Sequence, residues 1–375
     1  MLADDPAINP DFAGFNRVVL AYCDGNSFAS NREDPVPVTT TDADGVARTS
    51  TIYWRGKRLI DATLATLVEK HKLADAETVM LTGASAGGLA GYLHTDYVHE
   101  QLQTLAPKMN KYRSAPISGF FLDHDNVLGV PVYETMLKNL FEESNATGGV
   151  NQHCIAATAA ADRWKCNFAS GSYAHTQAPI FALNSALDAW QTGCIFTATL
   201  DPGFPKTTPP VRALLLASCV CHTWYIQKEL QFTKTGSGRM DGEFIQKETA
   251  FVSTAQNLDE HGNCANAGAD FSSAACKGKP RAKCSGPWSK CAGSPEACNS
   301  TQIIAMNQYI SDFMAAMTQT TTYKKPGNGA FIHSCHTHCE AQTTADWTKF
   351  AVNGVTIQVR MTDTPAAYNS ASIPS

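Results

Sequence analysis

The segment from Thr78 to Gly88 reads TVMLTGASAGG, and it constrains the fold more than any other stretch of the chain. A β-branched apolar run ends in Gly83-Ala84-Ser85-Ala86-Gly87, and an amphipathic run with Leu89, Ala90, Tyr92 and Leu93 follows. Extended periodicity gives way to helical periodicity within a few residues. The segment therefore reads as strand, sharp turn and helix, with a serine at the apex. So tight a turn leaves no room for bulky side chains two residues either side of the serine, and glycine at 83 and 87 meets that demand. The helix aims its N-terminal amides at the serine, where an anion would be stabilised. G-x-S-x-G is a frequent accident in sequences. The strand before it and the helix after it make Ser85 a candidate nucleophile.

Other apolar runs set the architecture. Residues 18–22 (VVLAY), 117–122 (ISGFFL), 178–184 (APIFALN) and 329–334 (GAFIHS) read as short buried strands. Residues 55–72 and 303–317 have helical periodicity, and the polar stretch 30–51 reads as a loop. Apolar strands alternating with helices predict an α/β fold: α/β-hydrolase-like, a mostly parallel sheet with helices on both faces. With no internal repeat and no linker, residues 1–375 read as a single domain. Poor strand signals and dense cysteines mark 193–298 as a cysteine-rich insertion.

Composition narrows the function classes. The formal charge is −5, and no basic stretch is interleaved with aromatics, so nucleic acid is not expected as a partner. No apolar run reaches the length of a membrane span. Thirteen cysteines, with no C-x-x-C pair, favour disulfide staples over zinc ribbons. Together with the sequons at Asn145 and Asn299 they point to a secreted or cell-wall protein. Two features sit against that reading: the odd cysteine count, and an N-terminus without an apolar signal.

A serine hydroxyl needs a base, and the base needs an orienting acid. In α/β sheets such groups gather past the C-terminal ends of strands. Asp188 stands just past one strand and His338 past another, which gives the order Ser, Asp, His expected of α/β-hydrolases. Asp188 taken alone could be a loop cap, and His333 and His336 compete with His338 in the same segment. The run Cys335-His336-Thr337-His338-Cys339 also has the composition of a zinc site. Alternate residues on an extended chain face opposite ways, however, so the five cannot converge on one ion. Cys335 and Cys339 are expected instead to form or join disulfides that pin the histidine loop.

Several blocks together resemble the pectin acetylesterases of plants and their animal relative Notum. They are Asn9-Pro10-Asp11-Phe12 with 18–28 (VVLAYCDGNSF), then YWRGKRLI at 53–60, LTGASAGGLAGYLH at 81–94, GFFLD at 119–123, FALNSALDAWQ at 181–191 and FIHSCHTHC at 331–339. The resemblance runs over nearly the whole chain except about 193–298. It implies a serine carboxylic-ester hydrolase acting through an acyl-enzyme, with Ser85 as nucleophile, Asp188 as acid, His338 as base and no cofactor or metal. The Ala86 amide would hold the oxyanion. The expected partner is an ester substrate, an acetylated extracellular polysaccharide. Removal of a fatty acyl group from a secreted protein, or a catalytically impaired secreted binding protein, are the alternatives. Members of the family carry an earlier Gly-Gly-Gly-Trp-Cys stretch whose amides contribute to the oxyanion hole. No such stretch precedes Val18, and the resemblance implies that the N-terminus as given is incomplete.

Overall fold

The structure is a computed structural model. It describes residues 5–7, 9, 12–41, 45–198 and 288–339, and the backbone of the short strands Phe232–Lys234, Met240–Gly242, Ala351–Val352 and Val355–Thr356. Most of the insertion expected at 193–298 lies outside the described residues.

A hairpin comes first, β1 (Val36–Thr41) against β2 (Ala47–Ile52), antiparallel from Val36↔Ile52 to Thr41↔Ala47. The loop expected over 30–51 is thus in large part a strand pair. Its threonines and valines favour extended backbone, and its exposure hides the apolar alternation by which strands are usually found. Helix α1 (Gly56–His71) buries Ile60 and Leu64, one turn apart on one face. It ends at Lys72, which takes a left-handed φ of 55° and donates its N–H to Leu67 O. Lys70 and His71 in the last turn suit the negative end of the helix dipole.

The site-bearing sheet has four parallel strands in the order β3-β4-β5-β6. They are β3 (Thr78–Ala84), β4 (Lys111–Ile117), β5 (Phe181–Ser185) and β6 (Gly329–His333). Helix α2 (Ala86–Leu105) links β3 to β4. Between β4 and β5 come α3 (Val132–Glu143), α4 (Gln152–Ala157) and α5 (Ala169–His175). Helix α6 (Ser300–Thr318) precedes β6 and starts with a capping box between Asn299 and Gln302. This is the expected α/β-hydrolase-like architecture.

Two of the expected strands differ. Residues 18–22 form no ladder among the described residues. Val18 and Val19 are exposed, while Leu20 and Tyr22, like Val79 and Leu81 of β3, pack against the cluster that holds Ile60, Leu64 and Leu102. Their alternation reports one apolar contact rather than a buried strand. In the 117–122 run only Ile117 is in the sheet, at the end of β4. Phe120, Phe121 and Leu122 leave the ladder and enter the main core instead, with Tyr92, Tyr173 and Phe313. A continuous apolar run is consistent with burial of either kind.

Helix α2 serves two cores. Leu89, Tyr92 and Leu93 join the cluster built with α3, α5 and α6, and Val98 and Leu102 join the cluster with Ile60 and Leu64 of α1. At its first turn the backbone lies against the segment after β4. A Cβ on Gly88 would strike Ile117 O, and one on Gly119 would strike the backbone of Gly88. That close approach needs glycine on both sides.

Candidate functional site

Strand register gathers the chemistry. Ala84 is opposite Ile117, Ile117 opposite Leu183, and Ser185 opposite His333, so β5 and β6 run two residues past the ends of β3 and β4 and all four end on the same side of the sheet. The segments leaving β3, β5 and β6 carry Ser85, Asp188 and His338. An isolated parallel bridge between Asp188 and Thr337 extends the β5–β6 pairing into those loops. Ala186 N donates to His333 O at 2.7 Å, and Ala189 N to Thr337 O at 3.1 Å.

Ser85 is the apex of the turn, with φ 58° and ψ −121°, a backbone conformation that is costly for any residue but glycine. Its N–H donates to Ile117 O at 3.0 Å, and its carbonyl accepts from Leu89 N. Gly83 is a steric requirement, because a Cβ there would meet the carbonyl of Gly87. Gly87 is not, because a Cβ there would meet nothing. The expectation of two obligatory glycines is thereby corrected: the crowding runs from position 83 onto the backbone of 87. Ala86 is the first residue of α2, and its N–H therefore has no acceptor within the helix.

The three side chains form one hydrogen-bonded chain. Ser85 Oγ lies 3.0 Å from His338 Nε2, and His338 Nδ1 lies 2.6 Å from Asp188 Oδ2. Ser85, Asp188 and His338 are all buried. An ionised Asp188 can only accept, so Nδ1 carries the proton and Nε2 offers its lone pair to the serine hydroxyl. The second oxygen, Asp188 Oδ1, accepts Gln191 N at 2.9 Å, as the cap of a short helical turn. Two rings flank the imidazole: Trp190 with centroids 6.3 Å apart and planes 30° apart, and Phe121 at 6.2 Å. These apolar faces shield the pair from water.

The other two histidines of the segment point elsewhere. His336 Nε2 is 3.0 Å from Thr192 Oγ1, and burial lowers its pKa, the Asp188 charge opposing that shift. His333 Nδ1 accepts the N–H of Cys335. Neither Cys335 nor Cys339 is in a disulfide, contrary to expectation. Hydrogen bonds hold the loop instead. Ser185 Oγ donates to Cys335 O at 2.6 Å, and Ser118 Oγ accepts Cys339 N at 3.0 Å. Staples occur elsewhere, at Cys154–Cys166 and Cys291–Cys298.

Ser85 and Ala86 open onto a cavity of about 50 Å³. Its walls are Leu89 of α2, Met136, Leu137 and Leu140 of α3, the rings of Phe121, Tyr133 and Trp190, and the loop Gly25-Asn26-Ser27 with Tyr22. Phe121 and Trp190 were legible only as parts of larger sequence blocks. The loop at 24–28 was likewise legible only as part of the block 18–28.

The pattern of the pectinacetylesterase family matches residues 1–208 and 270–370. Pectin acetylesterase 5 of Arabidopsis thaliana is 30% identical over 203 residues, covering 54% of this chain and 43% of the relative. Pectin acetylesterase 4 of the same plant is 30% identical over 191 residues, covering 51% and 42%. The chain thus spans less than half the length of these two relatives. The palmitoleoyl-protein carboxylesterase NOTUM of Homo sapiens is 24% identical over 196 residues, covering 51% of this chain and 37% of the relative. Among solved structures, the Wnt deacylase Notum from Drosophila superposes with a TM-score of 0.56 at 14% identity, covering 96% of this chain and 71% of that one. At that identity the likeness speaks for the fold.

Proposed function

The chain belongs to the pectinacetylesterase family, and on that premise we propose that it is a carboxylic ester hydrolase in which Ser85 is the nucleophile, His338 the base and Asp188 the orienting acid. The observation that carries this reading is the hydrogen-bonded chain from Ser85 Oγ through the His338 ring to Asp188. Ser85 attacks the ester carbonyl as His338 Nε2 takes its proton. Asp188 holds the imidazole in the tautomer that permits this and stabilises the imidazolium. The Ala86 N–H, at the positive end of α2, faces the developing oxyanion. His338 then protonates the departing alkoxide. A water activated by the same nitrogen releases the acid and regenerates Ser85.

The acyl group we assign is short. Among the described residues the cavity of about 50 Å³ has room for roughly three to five waters, which suits the two carbons of acetate. We therefore propose an acetylated extracellular polysaccharide as substrate, ahead of an acylated protein. A secretory route accords with the disulfides Cys154–Cys166 and Cys291–Cys298 and with the exposed sequon asparagines Asn145 and Asn299. Among the described residues, no helix is long and apolar enough to cross a membrane.

The test is hydrolysis of p-nitrophenyl acetate by the full chain and by Ser85→Ala, alongside labelling with a fluorophosphonate. Loss of activity and of labelling in the variant is the expected result. Wild-type activity in Ser85→Ala would overturn the assignment. Faster turnover of a palmitoleoyl ester than of the acetyl ester would overturn the acyl-chain reading alone.

A further inference from the structure

Gln191 is fully buried, and its main-chain N–H is tied to Asp188 Oδ1 at 2.9 Å. Its side chain makes a separate set of contacts, which the chemistry described so far does not use. Oε1 accepts the N–H of Leu122 at 2.9 Å and the hydroxyl of Tyr309 at 3.0 Å. A backbone N–H can only donate, so the amide oxygen and not the nitrogen faces Leu122. Burial, reinforced by the Asp188 charge, holds the Tyr309 pKa well above its usual value, and the phenol stays a donor. Gln191 Nε2 is buried with no partner among the described residues. What the amide contributes here is its oxygen.

Those two bonds reach the walls around the base. Leu122 follows Phe121, and Trp190 precedes Gln191. The Phe121 and Trp190 rings are 4.7 Å apart and lie 6.2 Å and 6.3 Å from the His338 ring. Past the end of β4, side-chain amides continue the pairing with the β5 segment. Asn184 Oδ1 accepts Phe120 N at 3.1 Å, and Gln191 Oε1 accepts Leu122 N, so the two bonds bracket Phe121. Tyr309 brings α6 into the same knot. The acid and both flanking rings are thus referred to one residue: Asp188 through its N–H, Trp190 through the peptide bond before it, and Phe121 through its Oε1. A reacting constellation has to be held to within about 0.5 Å by groups that are themselves locked.

We propose that Gln191 is the positioning residue of the base, its Oε1 fixing the acid and the two rings so that His338 Nε2 stays 3.0 Å from Ser85 Oγ. The inference rests on the serine-esterase reading above. Gln191 touches no reacting atom and carries no proton in the reaction. It acts through Asp188, Phe121 and Trp190.

The experiment compares three variants of the full chain on p-nitrophenyl acetate, each assayed well below its own melting temperature. Gln191→Leu fills a similar volume without the acceptor. Gln191→Glu keeps the accepting oxygen, and burial keeps the new carboxyl neutral at neutral pH. Tyr309→Phe removes one of the two donors. In Gln191→Leu a fall of about 10² in kcat is expected. KM stays within about twofold, so kcat and kcat/KM drop together. The far-downfield proton resonance of His338 Nδ1–H shifts as well. Gln191→Glu restores both the rate and the resonance. Tyr309→Phe lowers kcat by less, and the double variant is no slower than Gln191→Leu, because the hydroxyl acts through Oε1. A Gln191→Leu protein that is merely less stable, with wild-type kcat and an unmoved resonance, would overturn the proposal and leave the triad reading standing. Full additivity of Tyr309→Phe and Gln191→Leu would overturn it too. Should Gln191→Leu not fold, wild-type kcat in Tyr309→Phe overturns it alone. A wild-type protein whose Ser85 does not label with a fluorophosphonate defeats the triad reading instead.

Discussion

Replacing Asp188 by asparagine isolates the orienting role of that carboxylate. The two side chains are isosteric, and asparagine caps a helical turn as well as aspartate does. The structure decides which way the new amide turns. Gln191 N donates to Oδ1 of Asp188 at 2.9 Å, and His338 Nδ1 faces the other oxygen at 2.6 Å. Placing the amide nitrogen toward Gln191 would set two donors against each other and leave a buried N–H unpaired, at about 1–3 kcal/mol. The oxygen therefore stays with Gln191, and the NH₂ turns to His338. Nδ1 must then accept, the ring proton moves to Nε2, and a donor now faces Ser85 Oγ at 3.0 Å. The base is lost with the geometry intact. A wrong tautomer of this kind costs about 10⁴ in kcat, or about 5 kcal/mol of barrier. The assay is p-nitrophenyl acetate hydrolysis at neutral pH, with circular dichroism to check the fold. A variant folded as the wild type and within tenfold of its kcat would refute the tautomer argument.

Gly83→Ala and Gly87→Ala are expected to differ sharply. The first drives a methyl into the Gly87 carbonyl and should cost about 1–3 kcal/mol, while the second enters open space and should leave the denaturant midpoint near the wild-type value. Converting Cys154 and Cys166 to serine opens a loop with a sequence separation of 12. The chain-entropy relation gives about 3 kcal/mol for that closure, read as a lower midpoint in urea. His94 predicts a pH effect on stability. Its pKa is lowered from 6.5 to about 4 by burial, so the unfolded chain binds the proton first as pH falls. The contribution is complete above pH 6.5 and is lost between 6.5 and 4, amounting to about 3 kcal/mol. His94→Gln should flatten the stability profile in that window, and an unaltered slope would show that His94 is not its source.

The candidate site was readable in the sequence to an unusual extent where the signal is local. The turn at Ser85 is announced by a strand, two glycines and a helix within eleven residues, and α1 and α6 by their periodicity. Reading failed where apolar runs have more than one use. The VVLAY run was legible as apolar but not as an unpaired segment, and Phe120-Phe121-Leu122 as buried but not as core beneath the sheet rather than part of it. The hairpin β1–β2 escaped because, Val38 apart, its side chains are mostly exposed and leave too short an apolar alternation to mark a strand.

What the sequence determined by itself is the turn, the serine at its apex and the order in which acid and base follow. Each depends on torsional preference and periodicity over a few residues. Spacing left His333, His336 and His338 open and the resemblance pointed to His338; the tertiary structure alone set His338 against Ser85, held its loop by hydrogen bonds with Ser118 and Ser185 rather than by a disulfide, and put Gly25 in the wall of the same cavity. Those relations join positions as far apart as 253 residues. They are set by the register of parallel strands and by which helix covers which face, and no local preference encodes a distance of that kind.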